Sequence, residues 1–308
     1  MLVRALRRFG AILLLLIVLF LSVKVVIRTL PGDPVDALLA ETGANIDPEI
    51  LRKSLGLDEP YLVASFHQLR RLIGSFDFGR SILLKEPITP LILKRGISSF
   101  ILGLTAITIA LSFSLFFAFL TELSGRGRPA LRRILGAASA LSIALPTAWI
   151  GPILGLFLAV KFGWFHLTGG LALPALTLAL SLSGFWLRVF HETLVEESCS
   201  DFARTARAKG LPERKILWKH VFLPSAGPFV AYLGSQTGFL FAGAVITESL
   251  FDRPGLGSLL VESIFRRDYP VIEAVLITSS ALILMGTFLG DFAQEALNPR
   301  LRLRRNDE

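Results

Sequence analysis

The chain has 308 residues, of which 53% are apolar and only 18% charged, against about 25% charged in an ordinary soluble domain. Together with a mean hydropathy of +0.63, this excludes a disordered chain and argues against a water-soluble domain. The net charge of +8 fits either a nucleic-acid binder or a membrane protein with cationic cytoplasmic loops, and the single cysteine, Cys199, excludes an intrachain disulfide.

A membrane-spanning helix needs about 20 mostly apolar residues. Six stretches qualify: 9–30, 97–121, 134–160, 167–187, 223–246 and 271–292. The first follows Arg4, Arg7 and Arg8, as a signal peptide would, but no small-residue cleavage site follows, so it is read as an uncleaved span. Lys24 and Arg28 stand near its far end, where long side chains can snorkel to the headgroups. The next four contain no Asp, Glu, Lys or Arg.

The 31–96 segment reads as folded. Asp47-Pro48-Glu49 is a helix start, with an N-cap, Pro at the first position and early negative charge, and Gly56 is its natural stop. A second helix begins near Pro60, and Leu62, Phe66, Leu69 and Ile73 give it an apolar face. That face either packs on the spans or the membrane surface, or binds a ligand.

Six spans place both termini on one side. Segments 1–8, 122–133, 188–222 and 296–308 carry eighteen basic residues, against four in the short opposite loops 161–166 and 248–270. Long loops such as 31–96 cross largely regardless of charge, so both termini are expected in the cytoplasm and 31–96 outside. Topology then accounts for the positive charge, and nucleic acid is not an expected partner.

Ion-driven carriers usually hold ionisable groups at mid-membrane. Here Glu273 and Asp291 lie only toward the ends of the last span, and no GxxxxGK[ST] phosphate loop is present. The chain either moves a solute passively, as a channel or secondary transporter would, or is powered by another subunit. His67, His166, His191 and His220 stand apart, with no metal-ligand spacing, and no carboxylates cluster as in an enzyme. Gly234, Gly238 and Ala242 recur every four residues, a close-packing face. Thr105, Thr108 and Ser112 share one face of the second span, and Gln236 is the only side-chain amide within a span. These residues either pack helices or border an aqueous path.

The 188–222 loop carries the strongest signal. Ser200 can cap a helix, Asp201 suits its first turn, Gly210 ends it at a proposed positive φ, and Pro212-Glu213 starts another. A helix of about nine residues is marginal alone. Ala203, Ala206 and Gly210 form a small-residue edge fitted to a groove in a partner, with Phe202 one turn from Ala206 and Arg204, Arg207 and Lys209 flanking. The alternative is a solvated basic loop on anionic lipid.

This loop resembles the coupling loop of ABC importer permeases, and within them the dipeptide/oligopeptide/nickel family. Arg204-Thr205-Ala206-Arg207-Ala208-Lys209-Gly210-Leu211 matches nearly verbatim, with His220 and Leu223-Pro224 following; the usual acidic residue and tyrosine appear as Asp201 and Phe202. Further matching blocks are Arg28-Thr29-Leu30-Pro31-Gly32-Asp33-Pro34, Leu55-Gly56-Leu57-Asp58-Glu59-Pro60 and Asp77-Phe78-Gly79-Arg80-Ser81. Toward the C-terminus they are Glu248 through Gly257, Arg267-Asp268-Tyr269-Pro270-Val271, Asp291 and Asn298-Pro299-Arg300. Two departures stand out. Leu223-Pro224-Ser225 replaces the family's usual Arg-Asn pair, and an Asn common before the Asp291 position is absent.

The resemblance implies an all-α type I ABC importer permease fold of six transmembrane helices in a bacterial inner membrane. It implies a first helix over 1–30, an extracytoplasmic segment over 31–96, a core over 97–295 and a cytoplasmic tail over 296–308. It further implies a second permease subunit, identical or homologous, two cytoplasmic ATPases that bind ATP and magnesium, and an extracytoplasmic solute-binding protein. The chain itself would hold no cofactor or metal and perform no bond chemistry. Substrates would be peptides or, alternatively, nickel or a metal chelate. Asp201, Phe202, Ala203, Arg204, Ala206, Arg207, Lys209 and Gly210 would couple to the ATPase. Glu248, Phe251, Pro254, Gly255, Gly257 and Asp268 would form an outer gate or contact the binding protein, unless Pro254-Gly255-Leu256-Gly257 is simply a structural turn.

Overall fold

The computed structural model describes residues 2–29, positions 35, 39, 47–49 and 52, and the stretches 61–123 and 129–297. Among these residues the fold is helical, apart from one isolated bridge between Arg80 and Pro87. The helices are α1 (Leu2–Thr29), α2 (Tyr61–Ser75), α3 (Ile88–Leu123), α4 (Pro129–Ala144), α5 (Thr147–Leu154), α6 (Ala172–Ser198) and α7 (Asp201–Ala208). They continue as α8 (Glu213–Ile216), α9 (Phe222–Ser235), α10 (Thr237–Leu250), α11 (Leu256–Phe265) and α12 (Tyr269–Leu297). Two π-helical segments, Gly155–Lys161 and Leu217–Val221, extend α5 and α8.

Three described helices are long and apolar enough to cross a membrane: α3, α6 and the Tyr269–Gly290 part of α12. The apolar part of α1, Gly10–Val25, is shorter. The expected span 134–160 is not straight: it turns by 107° between α4 and α5. Pro146 sits at the break, lacking an N–H and pushing Leu145 away from helical geometry. The expected span 223–246 is interrupted at Gln236, where α9 meets α10 and the Gln236 N–H bonds the Leu233 carbonyl three residues back. The face expected of Gly234, Gly238 and Ala242, the side chains of Leu62, Ile73 and Asp291, and Gly56 lie outside the described residues.

The chain divides into two compact units, 1–99 with 254–284 and 100–253 with 285–308. In the first, the expected helix start at 47–49 is present: Asp47 Oδ1 accepts the Glu49 N–H at 2.9 Å. Lys24 does not snorkel. Its amine lies 3.2 Å from Glu273 of α12, and Gln68 of α2 donates to the same carboxylate at 3.0 Å. Burying a charge among apolar helices is costly unless it is paired, and here both charges are paired. Asp268, 3% exposed, accepts from the Ser81 hydroxyl and, at 3.3 Å, from the Ile82 N–H. It thus joins the Asp77–Ser81 turn to the entry of α12.

In the second unit α6 is the central helix, its inward face formed by Leu178, Leu182, Trp186, Phe190 and Leu194. Hydroxyls pack it against its neighbours. Ser114 of α3 donates to the Ser183 carbonyl at 3.1 Å, and Ser139 of α4 to the Gly184 carbonyl at 2.6 Å. Ser142 of α4 donates to the Leu180 carbonyl. Such close approach requires Gly184: a Cβ there would stand 2.5 Å from Ser142 Cβ and 2.8 Å from the Ser139 carbonyl. Gly184→Ala should therefore lower the melting temperature of the detergent-purified chain, by overpacking of about 1–3 kcal/mol. Gly136→Ala, where a Cβ meets nothing within 4 Å, should not. Equal melting temperatures for the two variants would refute this packing.

Candidate functional site

The 188–222 segment folds as its composition suggests: helix, sharp break, helix. Asp201 opens α7, and Gly210, at φ +75°, follows its end. The Gly210 N–H bonds the Arg207 carbonyl at 2.9 Å and the Leu211 N–H bonds the Ala206 carbonyl at 3.3 Å. This is a Schellman closure, and glycine supplies the left-handed residue it needs. Ser200 occupies the N-cap position, but its hydroxyl turns back to the Glu197 carbonyl at 2.6 Å rather than capping α7. Glu213 opens α8 directly after Pro212.

The small-residue edge points the other way from the expected one. Ala203 and Ala206 are buried within this chain, in the core formed by Phe190 and Leu194 of α6 with Ile216, Leu217 and Val221. Alanines let α7 approach that core closely, so the edge cannot fill a partner's groove. Gly210 is exposed, as are Asp201, Arg204, Thr205, Arg207, Ala208 and Lys209, while Phe202 is half-buried against the same core. The outward face is therefore cationic and polar, with Arg204 Nη1 3.6 Å from Asp201 Oδ1.

Arg207, beside the buried Ala206, acts as a clamp. Its Nε and Nη2 reach the two oxygens of Glu213 at 2.7 and 3.4 Å, and its Nη1 donates to the Ser198 carbonyl at 2.8 Å. One guanidinium thereby joins the end of α6, the helix α7 and the start of α8. The hydrogen bond to Glu213 raises the Arg207 pKa above its ordinary value, outweighing the opposing effect of partial burial. The six-residue spacing of Arg207 and Glu213 has no helical meaning, so only the Schellman turn between them could have signalled this pair.

Aromatic rings continue the same core. Phe119 of α3 stacks on Trp218 at 4.6 Å between centroids, and Phe190 meets Phe222 at 6.1 Å and Phe229 at 4.8 Å. Ser225, fully buried where the family's Arg-Asn pair would stand nearby, donates to the Val221 carbonyl at 2.8 Å and the Thr193 carbonyl at 3.3 Å. The loop is therefore not insulated from the spans.

Among the expected outer residues, only Pro254 is exposed. In the second unit Glu248 and Phe251 are buried, and the Phe251 carbonyl accepts the Gly169 N–H at 2.9 Å. The turn's left-handed residue is Asp252, at φ +49°, rather than a glycine. In the first unit Gly255 is buried with extended backbone, and Gly257 lies buried inside α11. The Leu256 N–H donates to Ser99 Oγ at 2.8 Å, and Asp268 is committed to Ser81 and Ile82. Of the two expected roles, outer gate or contact with the binding protein, direct contact is not open to Glu248, Phe251 and Asp268 in this chain, where their side chains are buried. Thr105, Thr108 and Ser112 donate to the Ile101, Leu104 and Thr108 carbonyls of their own helix at 2.7, 2.8 and 2.8 Å. Gln236 is half-buried at the α9–α10 break.

The family described as "Binding-protein-dependent transport system inner membrane component" matches residues 110–303. The glutathione transport system permease protein GsiC of Pectobacterium atrosepticum is 32% identical over 303 residues, 97% of this chain and 98% of that protein. The oligopeptide transport system permease protein AppB of Bacillus subtilis is 32% identical over 296 residues, 90% of this chain and 92% of that one. The chain belongs to this family. It is a multi-pass membrane permease subunit of a binding-protein-dependent ABC importer.

The clamp makes a local prediction for the permease. Arg207→Ala strands the Ser198 carbonyl and leaves Glu213 without its partner. Because the pair is half-exposed, the loss should be modest, about 1 kcal/mol. Amide hydrogen exchange should accelerate across 198–213 and stay unchanged at Phe190–Leu194. Unaltered exchange in 198–213 would remove the clamp from the account.

Proposed function

We propose that this permease forms half of the membrane path of an ATP-driven importer for di- and oligopeptides. It spans six times, at 9–30, 97–121, 134–160, 167–187, 223–246 and 271–292, the third span being the bent α4–α5 pair and the fifth the α9–α10 pair. Both termini and 296–308 are cytoplasmic, 31–96 is extracytoplasmic, and 97–295 is the type I permease core. A second permease subunit completes the path. Two ATPases hold ATP and magnesium, and a solute-binding protein delivers the peptide. Support for peptides comes from the glutathione and oligopeptide transport names of GsiC and AppB.

The observation that carries the coupling role is the orientation of α7: Ala203 and Ala206 inward, Arg204, Thr205 and Lys209 outward. ATP-driven closure of the ATPases presses on the outward face. Since α7 is packed on α6 and clamped through Arg207, the push moves α6 as a body and switches the path between inward- and outward-open. Asp201, Phe202, Ala203, Arg204, Ala206, Arg207, Lys209 and Gly210 are the coupling set: Phe202, Ala203, Ala206, Arg207 and Gly210 hold the helix and transmit, and Asp201, Arg204 and Lys209 make contact. Pro254 reaches the binding protein, while Glu248, Phe251, Gly255, Gly257 and Asp268 shape the outer turns behind it. Gln236, at a helix break, borders the path with Thr105, Thr108 and Ser112.

The test is backbone strain at Gly210. No atom lies within 4 Å of a Cβ added there, so a substitution acts only through φ. Gly210→Val should misalign the α7–α8 turn at about 1–3 kcal/mol, whereas Gly210→Asn, which tolerates positive φ, should not. At equal membrane abundance the Val variant should retain less ATPase on co-purification and lose peptide uptake, and the Asn variant should keep both. Full retention and uptake by Gly210→Val would sink the coupling assignment.

A further inference from the structure

The helix α2 has an outward face that the proposed transport role leaves unassigned. On it lie Val63 and Phe66, 44% and 64% exposed, with His67, Arg70 and Arg71 beside and beyond them. Helical spacing puts Val63, Phe66 and Arg70 on one side, opposite Gln68 and Leu72. The helix contains no Asp or Glu.

Its depth is fixed by a part-buried contact. Gln68, at the middle of α2, donates to Glu273 at 3.0 Å, and Glu273 is paired with Lys24 at 3.2 Å. Lys24 stands next to the end of α1's apolar part, Gly10–Val25, on which Leu14, Val18, Leu21 and Val25 are exposed. Glu273 similarly stands in the second turn of α12, at the start of its apolar run. The centre of α2 is thus tied to the level at which two apolar helices leave hydrocarbon. A helix at that level with exposed Phe and Val, two exposed arginines and no acid has the composition of one lying in a lipid interface.

We propose that α2 is an interfacial helix. Val63 and Phe66 enter the boundary between acyl chains and headgroups, and Arg70 and Arg71 contact the phosphates of anionic lipid. Its partner is the bilayer around the permease, and its role is to hold the outer segment at a fixed depth beside α1 and α12.

The experiment uses the intact chain with Cys199→Ser, carrying one nitroxide-labelled cysteine and reconstituted in phosphatidylethanolamine–phosphatidylglycerol vesicles. Phe66→Cys is the primary site and Val63→Cys the second, so that a folding defect in one leaves the other. Glu86→Cys, in an exposed turn, is the aqueous reference. Labels at 66 and 63 should collide several-fold more with oxygen, relative to a water-soluble nickel chelate, than the label at 86. Replacing the lipids by phosphatidylcholine, or introducing Arg70→Gln with Arg71→Gln, should shift label 66 toward water. A label at 66 as open to the nickel chelate as that at 86 would overturn the proposal and give the face to an extracytoplasmic protein. Equal depth in anionic and zwitterionic vesicles would overturn the phosphate contact.

Discussion

The burial of Ala203 and Ala206 against α6 is the contact on which the 188–222 segment of the permease depends. An eight-residue helix such as α7 has too few internal hydrogen bonds to persist alone. It persists here because two alanines let its backbone settle onto Phe190, Leu194 and the Leu217–Val221 turn, and because Arg207 ties its end to both neighbouring helices. Larger side chains at 203 or 206 would lift α7 from that core. The helix α7 is part of the same packed body as α6, which is what the proposed lever requires.

Within the apolar helices, small and hydroxyl residues do the work that charge does in soluble proteins. Glycine at 184 admits α4, and serine hydroxyls at 114, 139 and 142 fasten onto α6 carbonyls. The exception is Lys24 with Glu273. Removing either partner would leave the other charge buried, at about 3–5 kcal/mol, and Gln68 helps satisfy the carboxylate that remains within α1, α2 and α12. The Lys24–Glu273 pair among the described residues is thus structural.

Local chemistry was legible in the sequence. Asp47-Pro48-Glu49 starts a helix, Gly210 takes positive φ, and the 200–213 run breaks between two helices, because each depends on a residue's own backbone preference. Direction was not legible. Which way an alanine edge faces, whether Lys24 meets lipid or Glu273, and whether Asp268 is outside or buried depend on partners roughly 10 to 250 residues away in the chain, which composition does not order. Pro146 was visible, but an apolar run is scored by average hydropathy, and averaging hides a single proline that turns the chain by 107°. The same averaging hides the break at Gln236.

The central claim is that α7 and α6 move together. Spin labels at Thr205→Cys and Glu192→Cys, both exposed positions, in a Cys199→Ser chain assembled with its ATPases, report the distance between the two helices. Double electron–electron resonance should give the same distance without nucleotide and with ATP trapped. A distance that changes between those states would show α7 pivoting on α6, and would contradict transmission through their shared core.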